Sequence, residues 1–235
     1  MIASYIARVI SNWLPLLLAA LGFAAGIVVA GVVASYRRAR RFWPWLPWPP
    51  GRGPRLGRML PAPLVVAATF YGLALQYGRA PALLAVGAVE SALLIALFFI
   101  DLDLRLIPTL PVGALALLAL SSATMWPDLG LGSTLLGGAV GFAGFSVLKW
   151  LGHLVFGEEV LGAGDANLAL AIGCMTGYPL VAATLALGII VGGLVAGVVL
   201  VLRRGGLRSA MPYGPAVIAA ALVVLVHGNT TRPFP

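Results

Sequence analysis

The chain has 235 residues, of which 61% are hydrophobic and 9% are charged. A soluble globular domain is about a quarter charged, so this composition excludes one and indicates an integral membrane protein. The formal net charge of +8 does not indicate a nucleic-acid partner, because the basic residues cluster between apolar segments. The single cysteine, Cys174, excludes an internal disulfide or a zinc site made of Cys-x-x-Cys pairs.

Apolar stretches bounded by proline, glycine and charge predict an all-α integral membrane protein, a polytopic bundle of about eight transmembrane helices. In chain order the predicted spans are 13–35, 61–77, 81–100, 108–126, 129–150, 165–177, 178–202 and 212–227. The first apolar run is long and lacks a small-residue cleavage site, so we expect a retained span rather than a signal peptide.

The distribution of positive charge predicts the topology. With the N-terminus outside, the inner loops hold 12 of the 15 Lys and Arg residues, and the outer side holds Arg8, Arg79 and Arg232. This asymmetry agrees with the positive-inside rule. Asp101 then ends the inward third span and Asp165 begins the outward sixth, so we expect both carboxylates at the cytoplasmic face.

The inner loop at 36–61 is basic and rich in tryptophan and proline. One interpretation is interfacial anchoring, with Trp43, Trp45 and Trp48 at headgroup depth and the arginines on anionic lipid. Docking of a partner or substrate is the alternative. Residues 1–60, the first helix with this loop, are predicted to form one domain, and residues 61–235 the membrane core.

Two acids close to the end of the third span differ in direction. Asp101 and Asp103 are two residues apart, which is about 200° around a helix, so they cannot both face one partner. From their spacing alone, either could point into the bundle. Both could also be solvated residues of a short inner loop near Arg105.

Asp165 is preceded by two alternating glycines, Gly162 and Gly164. Glycine permits unusual backbone angles and the close approach of another backbone, and a carboxylate at a helix N-terminus is favoured by the helix dipole. A helix cap alone would explain the acid, though not the two glycines.

Asp101 and Asp165 together predict a paired-carboxylate site. An ionised carboxylate beside a membrane segment is costly without a partner or a task. If the two meet, repulsion between like charges raises the pKa of one, and the pair holds a single proton near neutrality. One carboxylate then activates a water while the other protonates the carbonyl or leaving group. Such a site hydrolyses an amide without a metal or other cofactor.

Three ordered elements carry a family resemblance: Asp101 with Ile107-Pro108 after a five-residue gap, Gly162-Ala-Gly-Asp165, and Pro212-Tyr-Gly-Pro215. Over residues 60–227 the chain resembles the type IV prepilin peptidase family of Gly-x-Gly-Asp membrane aspartyl proteases. The resemblance selects Asp101 over Asp103 as the catalytic partner of Asp165. It implies an endopeptidase in the prokaryotic inner membrane, serving type IV pili or protein secretion.

The resemblance also implies a substrate class, namely prepilin-like or pseudopilin membrane proteins whose basic leader is cleaved at the cytoplasmic face. Larger family members carry two Cys-x-x-Cys pairs that bind zinc, and they N-methylate the new N-terminus. This chain resembles a short form without those cysteines, which argues against zinc binding and against methylation. Asn167 stands where the family usually has lysine, so a cation beside Asp165 is absent.

Four further polar residues have open interpretations. Glu90 lies in the middle of a span and is either a functional acid or a protonated, hydrogen-bonded structural one. Glu158 and Glu159 come just before the Gly-x-Gly-Asp motif, and they either receive the basic leader or are ordinary solvated residues. His153 has no second histidine nearby, so we predict no metal site.

Two other functions remain as alternatives. A non-catalytic subunit of a membrane complex could keep this fold, although the two aspartates argue against it. A small transporter could use Glu90 and the aspartates as a proton relay, although aspartates at the membrane rim argue against a midplane site. The expected partners are a prepilin-like membrane substrate and the lipid bilayer; stable protein partners are not predictable from the sequence.

Overall fold

The structure, a computed structural model, describes residues 2–39, 61–127, 129–156, 162–203 and 213–227. These residues form eight α-helices and no β-strand, which confirms the predicted all-α fold. In chain order the helices are α1 (Ile2–Ala39), α2 (Ala62–Tyr77), α3 (Pro81–Leu104), α4 (Thr109–Ser122), α5 (Gly130–Phe156), α6 (Ala163–Thr176), α7 (Leu180–Arg203) and α8 (Gly214–His227).

Four of the described helices are long and apolar enough to cross a membrane. The segments are Trp13–Ser35, Pro81–Leu104, Gly130–Leu154 and Leu180–Val198. The helices α2, α4 and α8 are apolar but shorter, and α6 has 14 residues. A helix of that length is about 21 Å long, against a hydrocarbon core of about 30 Å. Crossing by these four shorter helices stays a prediction.

The chain divides into two compact units, Met1–Leu104 with Leu225–Pro235, and Arg105–Val224. In the first unit α1, α2 and α3 pack against one another. The Tyr77 hydroxyl donates a hydrogen bond to the carbonyl oxygen of Leu225 at 3.4 Å, which ties the end of α8 to α2. The domain boundary predicted at residue 60 stays a prediction.

In the second unit α6 packs against α4, α5 and α7. The helices α5 and α6 approach most closely where their residues are smallest. A methyl group added at Gly137 would meet the carbonyl oxygen of Gly173, and one added at Gly141 would meet that of Ala169. Small residues of this kind let helix backbones come together in lipid. These four residues form what we call the α5–α6 seam.

The end of α6 is held to the start of α5. Gly177 follows α6 with φ +68°, a left-handed conformation that favours glycine after a helix. The Ser133 hydroxyl donates to the carbonyl oxygen of Tyr178 at 2.9 Å, and the Tyr178 N–H donates to the carbonyl oxygen of Ser133 at 3.1 Å. These bonds tie the turn between α6 and α7 to the start of α5, at the end of α6 opposite Asp165.

Candidate active site

Asp101 lies inside α3, because the helix continues to Leu104 and the predicted end at residue 100 is too early. The side chain is only 5% exposed. It shares a helix face with Leu94 and Leu97, both 0% exposed, since residues spaced by three and four positions align along a helix. The alternative of a solvated loop residue is therefore wrong for Asp101.

Asp103 is also helical, and it is half-buried. Arg105 is exposed and has φ +51°, so a left-handed residue directly follows the end of α3. The loop between α3 and α4 thus consists of residues 105–108 and contains neither aspartate. Within the helix the two acids point about 200° apart, as the sequence predicts.

Asp165 is the third residue of α6 and is half-buried. The N–H of Gly162 donates to its Oδ2 at 3.0 Å, and the N–H of Asp165 donates back to the carbonyl oxygen of Gly162 at 3.2 Å. The first bond is the half of a capping box that the acid supplies, and glycine has no side chain to supply the other half. Burial raises the pKa of the Asp165 carboxyl, and the hydrogen bond from the Gly162 amide lowers it in part.

The two glycines of the motif have different roles, and neither has the unusual backbone angles expected from the sequence. Gly162 has φ −74° and ψ 160°, which any residue adopts, and Gly164 is helical. A methyl group on Gly164 would lie 3.0 Å from Cβ of Ile107 and 3.3 Å from its carbonyl oxygen. Close approach is thus confirmed for Gly164, and its partner is the Ile107-Pro108 pair that follows Asp101 in sequence.

The structure does not test every predicted member of the site. Asp101 belongs to the first compact unit and Asp165 to the second, so their pairing stays a prediction. Glu158 and Glu159 lie outside the described residues, as does Pro212 at the start of the third sequence element.

Glu90 is 0% exposed in α3. Neither of its carboxyl oxygens has a hydrogen-bond partner among the described residues. The hydrogen bond expected of a structural acid is therefore not found in this part of the chain. His153 is exposed on α5, and Asn167 is half-buried on α6. Within the described ranges no three potential ligand side chains are grouped to hold a metal ion.

Sequence reasoning missed two contacts at this site. One is the amide of Gly162 on Oδ2 of Asp165, and the other is the contact of Gly164 with Ile107. The first could have been anticipated, because an acid three residues after the start of a helix matches the capping-box spacing. The second depends on how α6 packs, which no local pattern encodes.

The helices and the amide-held aspartate define a multi-pass helical membrane protein with an acid fixed at the start of a short helix. The profile of the type IV leader peptidase family matches residues 88–197, a segment that contains Asp101, Asp165 and both glycines of the motif. The match over residues 88–197 confirms the resemblance to this family that was inferred from the motifs.

Curated relatives named "Prepilin leader peptidase/N-methyltransferase" match the same chain. The protein of Pseudomonas putida is 31% identical over 138 residues, which is 58% of this chain and 47% of the relative. That of Pseudomonas aeruginosa is 30% identical over 142 residues, 60% of this chain and 49% of the relative. That of Myxococcus xanthus is 40% identical over 103 residues, 41% of this chain and 28% of the relative.

The matched region thus spans about half the length of the Pseudomonas relatives and less of the Myxococcus one. No solved structure gives a significant match. The shared region supports the family resemblance and a multi-pass bacterial membrane protein.

Proposed function

We propose that this chain is a membrane aspartyl endopeptidase that removes the basic leader from type IV prepilin-like or pseudopilin substrates. The observation that carries the proposal is the placement of Asp165. Its carboxylate is held by the amide of Gly162 at the start of α6, inside the segment matched by the leader peptidase family. The names of the curated relatives support the same substrate class.

The surroundings of the two aspartates support different roles for them. Asp165 lies at a helix N-terminus, where burial raises its pKa and the hydrogen bond from the Gly162 amide lowers it. Asp101 is 5% exposed and is the fourth residue from the C-terminal end of α3. We assign the general base to Asp165, because the amide opposes the effect of burial there, and the shared proton to Asp101.

Hydrolysis proceeds with one water and no other reactant. Asp165 takes a proton from the water as its oxygen bonds to the scissile carbonyl carbon, while Asp101 donates its proton to the carbonyl oxygen. Collapse of the tetrahedral intermediate breaks the C–N bond, and a proton passes to the leaving amine through the carboxyl pair. General acid–base catalysis of this kind contributes about 10²–10⁴-fold in rate.

The predicted topology places the reaction at the cytoplasmic face, where the positive-inside rule puts the loops that adjoin both acids. Substrates with a basic leader ahead of an apolar helix keep that leader on the same face for the same reason. N-methylation is not part of the proposal, because the chain has a single cysteine and lacks the paired cysteines of the larger members.

The test uses the purified chain in nanodiscs with a prepilin substrate, and compares the wild type with Asp165→Ala. We expect the wild type to release the leader and the variant to leave the substrate intact, with the same α-helical circular dichroism in both. No cleavage by a folded wild-type protein would contradict the proposal and favour a non-catalytic subunit. Cleavage by Asp165→Ala at the wild-type rate would remove Asp165 from the mechanism.

A further inference from the structure

We infer that the main-chain amide of Gly162 positions Asp165 so that Oδ1 is the oxygen that accepts the proton from water, an inference that rests on the proposed function. The amide donates to Oδ2 at 3.0 Å, and Oδ1 accepts no hydrogen bond from the described residues. The terminal torsion of an aspartate is otherwise broad. An amide that holds one oxygen therefore sets the direction of the other.

This role of Gly162 does not depend on the conformational freedom of glycine. At φ −74° and ψ 160° Gly162 has angles open to every residue, including proline, whose ring sets φ near −65°. A methyl group on Gly162 would have Oδ2 of Asp165 as its nearest neighbour, at 3.6 Å, which is ordinary van der Waals contact. The position therefore requires an N–H donor and does not require the absence of a side chain.

The backbone geometry gives a sharp pair of substitutions at this one position. Gly162→Ala retains the amide, whereas Gly162→Pro suits the backbone angle and removes the N–H. Gly162 is a positioning residue, because it acts on Asp165 and not on the substrate. We therefore expect loss of the N–H in Gly162→Pro to lower kcat and to leave KM nearly unchanged. General destabilisation of the protein would not produce this difference between the two constants.

The kinetic experiment measures leader cleavage by wild type, Gly162→Ala and Gly162→Pro in nanodiscs, with the thermal unfolding midpoint of each. We expect the kcat of Gly162→Pro to fall about tenfold or more, with KM within about twofold of the wild-type value. We expect Gly162→Ala to keep the wild-type kcat. Wild-type kcat in Gly162→Pro would overturn the inference. So would an equal loss of kcat in both variants, because the amide is present in one of them.

A second measurement tests the hydrogen bond whether or not the protein cleaves. Glycine-selective ¹⁵N labelling identifies the amide signal of Gly162 by its loss in Gly162→Ala. We expect that signal to move upfield in Asp165→Ala, because the carboxylate acceptor has gone. An unmoved signal would overturn the inference even in an active enzyme. A moved signal in a protein that cleaves nothing would support the positioning of Asp165 while the proposed function failed.

Discussion

Gly164 packs directly on Ile107, so closely that an added methyl group would lie 3.0 Å from Cβ and 3.3 Å from the carbonyl oxygen of that residue. Both residues belong to the second compact unit. The contact joins the loop that follows the first aspartate in sequence to the helix that carries the second. The Ile-Pro pair and the Gly-x-Gly-Asp motif are therefore parts of one packed element.

We predict that Gly164→Ala lowers both stability and cleavage. Overpacking costs about 1–3 kcal/mol, and only about 1 kcal/mol of that is offset by the better helix propensity of alanine. Thermal unfolding and initial cleavage rates measure the effect. Gly144→Ala is the matched control, because no atom lies within 4 Å of the added methyl group. Equal unfolding midpoints for the two variants would show that Ile107 moves to accommodate the methyl group with no loss of stability, and would contradict the prediction.

The neighbouring acids of α3 should differ in their effect on cleavage. We predict that Asp101→Asn and Asp165→Asn each abolish processing at unchanged expression, since a shared-proton pair needs both members. Asp103→Asn should retain substantial activity, because it points about 200° away on the helix. Cleavage of a prepilin in membranes measures all three. An equal loss in the three variants would mean that the pair is misassigned.

We predict that the two carboxylates approach closely enough to share a proton, within about 6 Å. In a Cys174→Ala background, Asp101→Cys combined with Asp165→Cys should be cross-linked by a short bifunctional thiol reagent, because facing carboxylates place their Cβ atoms farther apart than the roughly 3.5–4.5 Å of a direct disulfide. The cross-linked chain migrates faster on a non-reducing gel. The control pair is Asp103→Cys with Asp165→Cys, and stronger linking in the control would contradict the proposed pair.

Glu90 should be structural and uncharged. It is 0% exposed, and its carboxyl oxygens have no hydrogen-bond partner in the described part of the chain, so burial favours the protonated acid. We predict that Glu90→Gln, a neutral side chain of the same shape, leaves cleavage unchanged and the unfolding midpoint within a few degrees. Loss of activity in a folded Glu90→Gln protein would instead favour a proton-relay role.

Glu158 and Glu159 provide a test of substrate selection. We predict that Glu158→Gln with Glu159→Gln raises KM for a basic-leader substrate a few-fold, because contacts between exposed charges contribute about 0.2–1 kcal/mol each. Added salt should remove the difference through screening, and kcat should not change. An unchanged KM at low ionic strength would remove both residues from the site.

Much of the fold follows from hydropathy, because an apolar run of about 20 residues between polar loops has few alternatives to a membrane helix. The span predicted at 13–35 lies within α1, which extends beyond it at both ends, from Ile2 to Ala39. The end of α3 was not predicted correctly, because Asp101 and Asp103 interrupt the apolar pattern, yet the helix continues through both. Hydropathy records the cost of burying a charge and not the packing that compensates for it.

The set of site residues stays a prediction, and the local geometry around Asp165 was predictable only in part. The spacing of the Gly-x-Gly-Asp motif identified Asp165 and the start of α6, but it gave the wrong reason for Gly162. That reason is an amide hydrogen bond, which any residue other than proline can supply. The need for glycine at 164 comes from Ile107, more than 50 positions earlier in the chain, so no local pattern contains it.

The α5–α6 seam limits how a substrate can reach Asp165. The backbones of the two helices are in contact at Gly137 with Gly173 and at Gly141 with Ala169. A helical segment with side chains is about 10–12 Å across, so it has no passage between α5 and α6. The entry route for a cleavable transmembrane helix therefore lies along another side of α6, and labelling experiments that map substrate contacts should find none on the paired faces of α5 and α6.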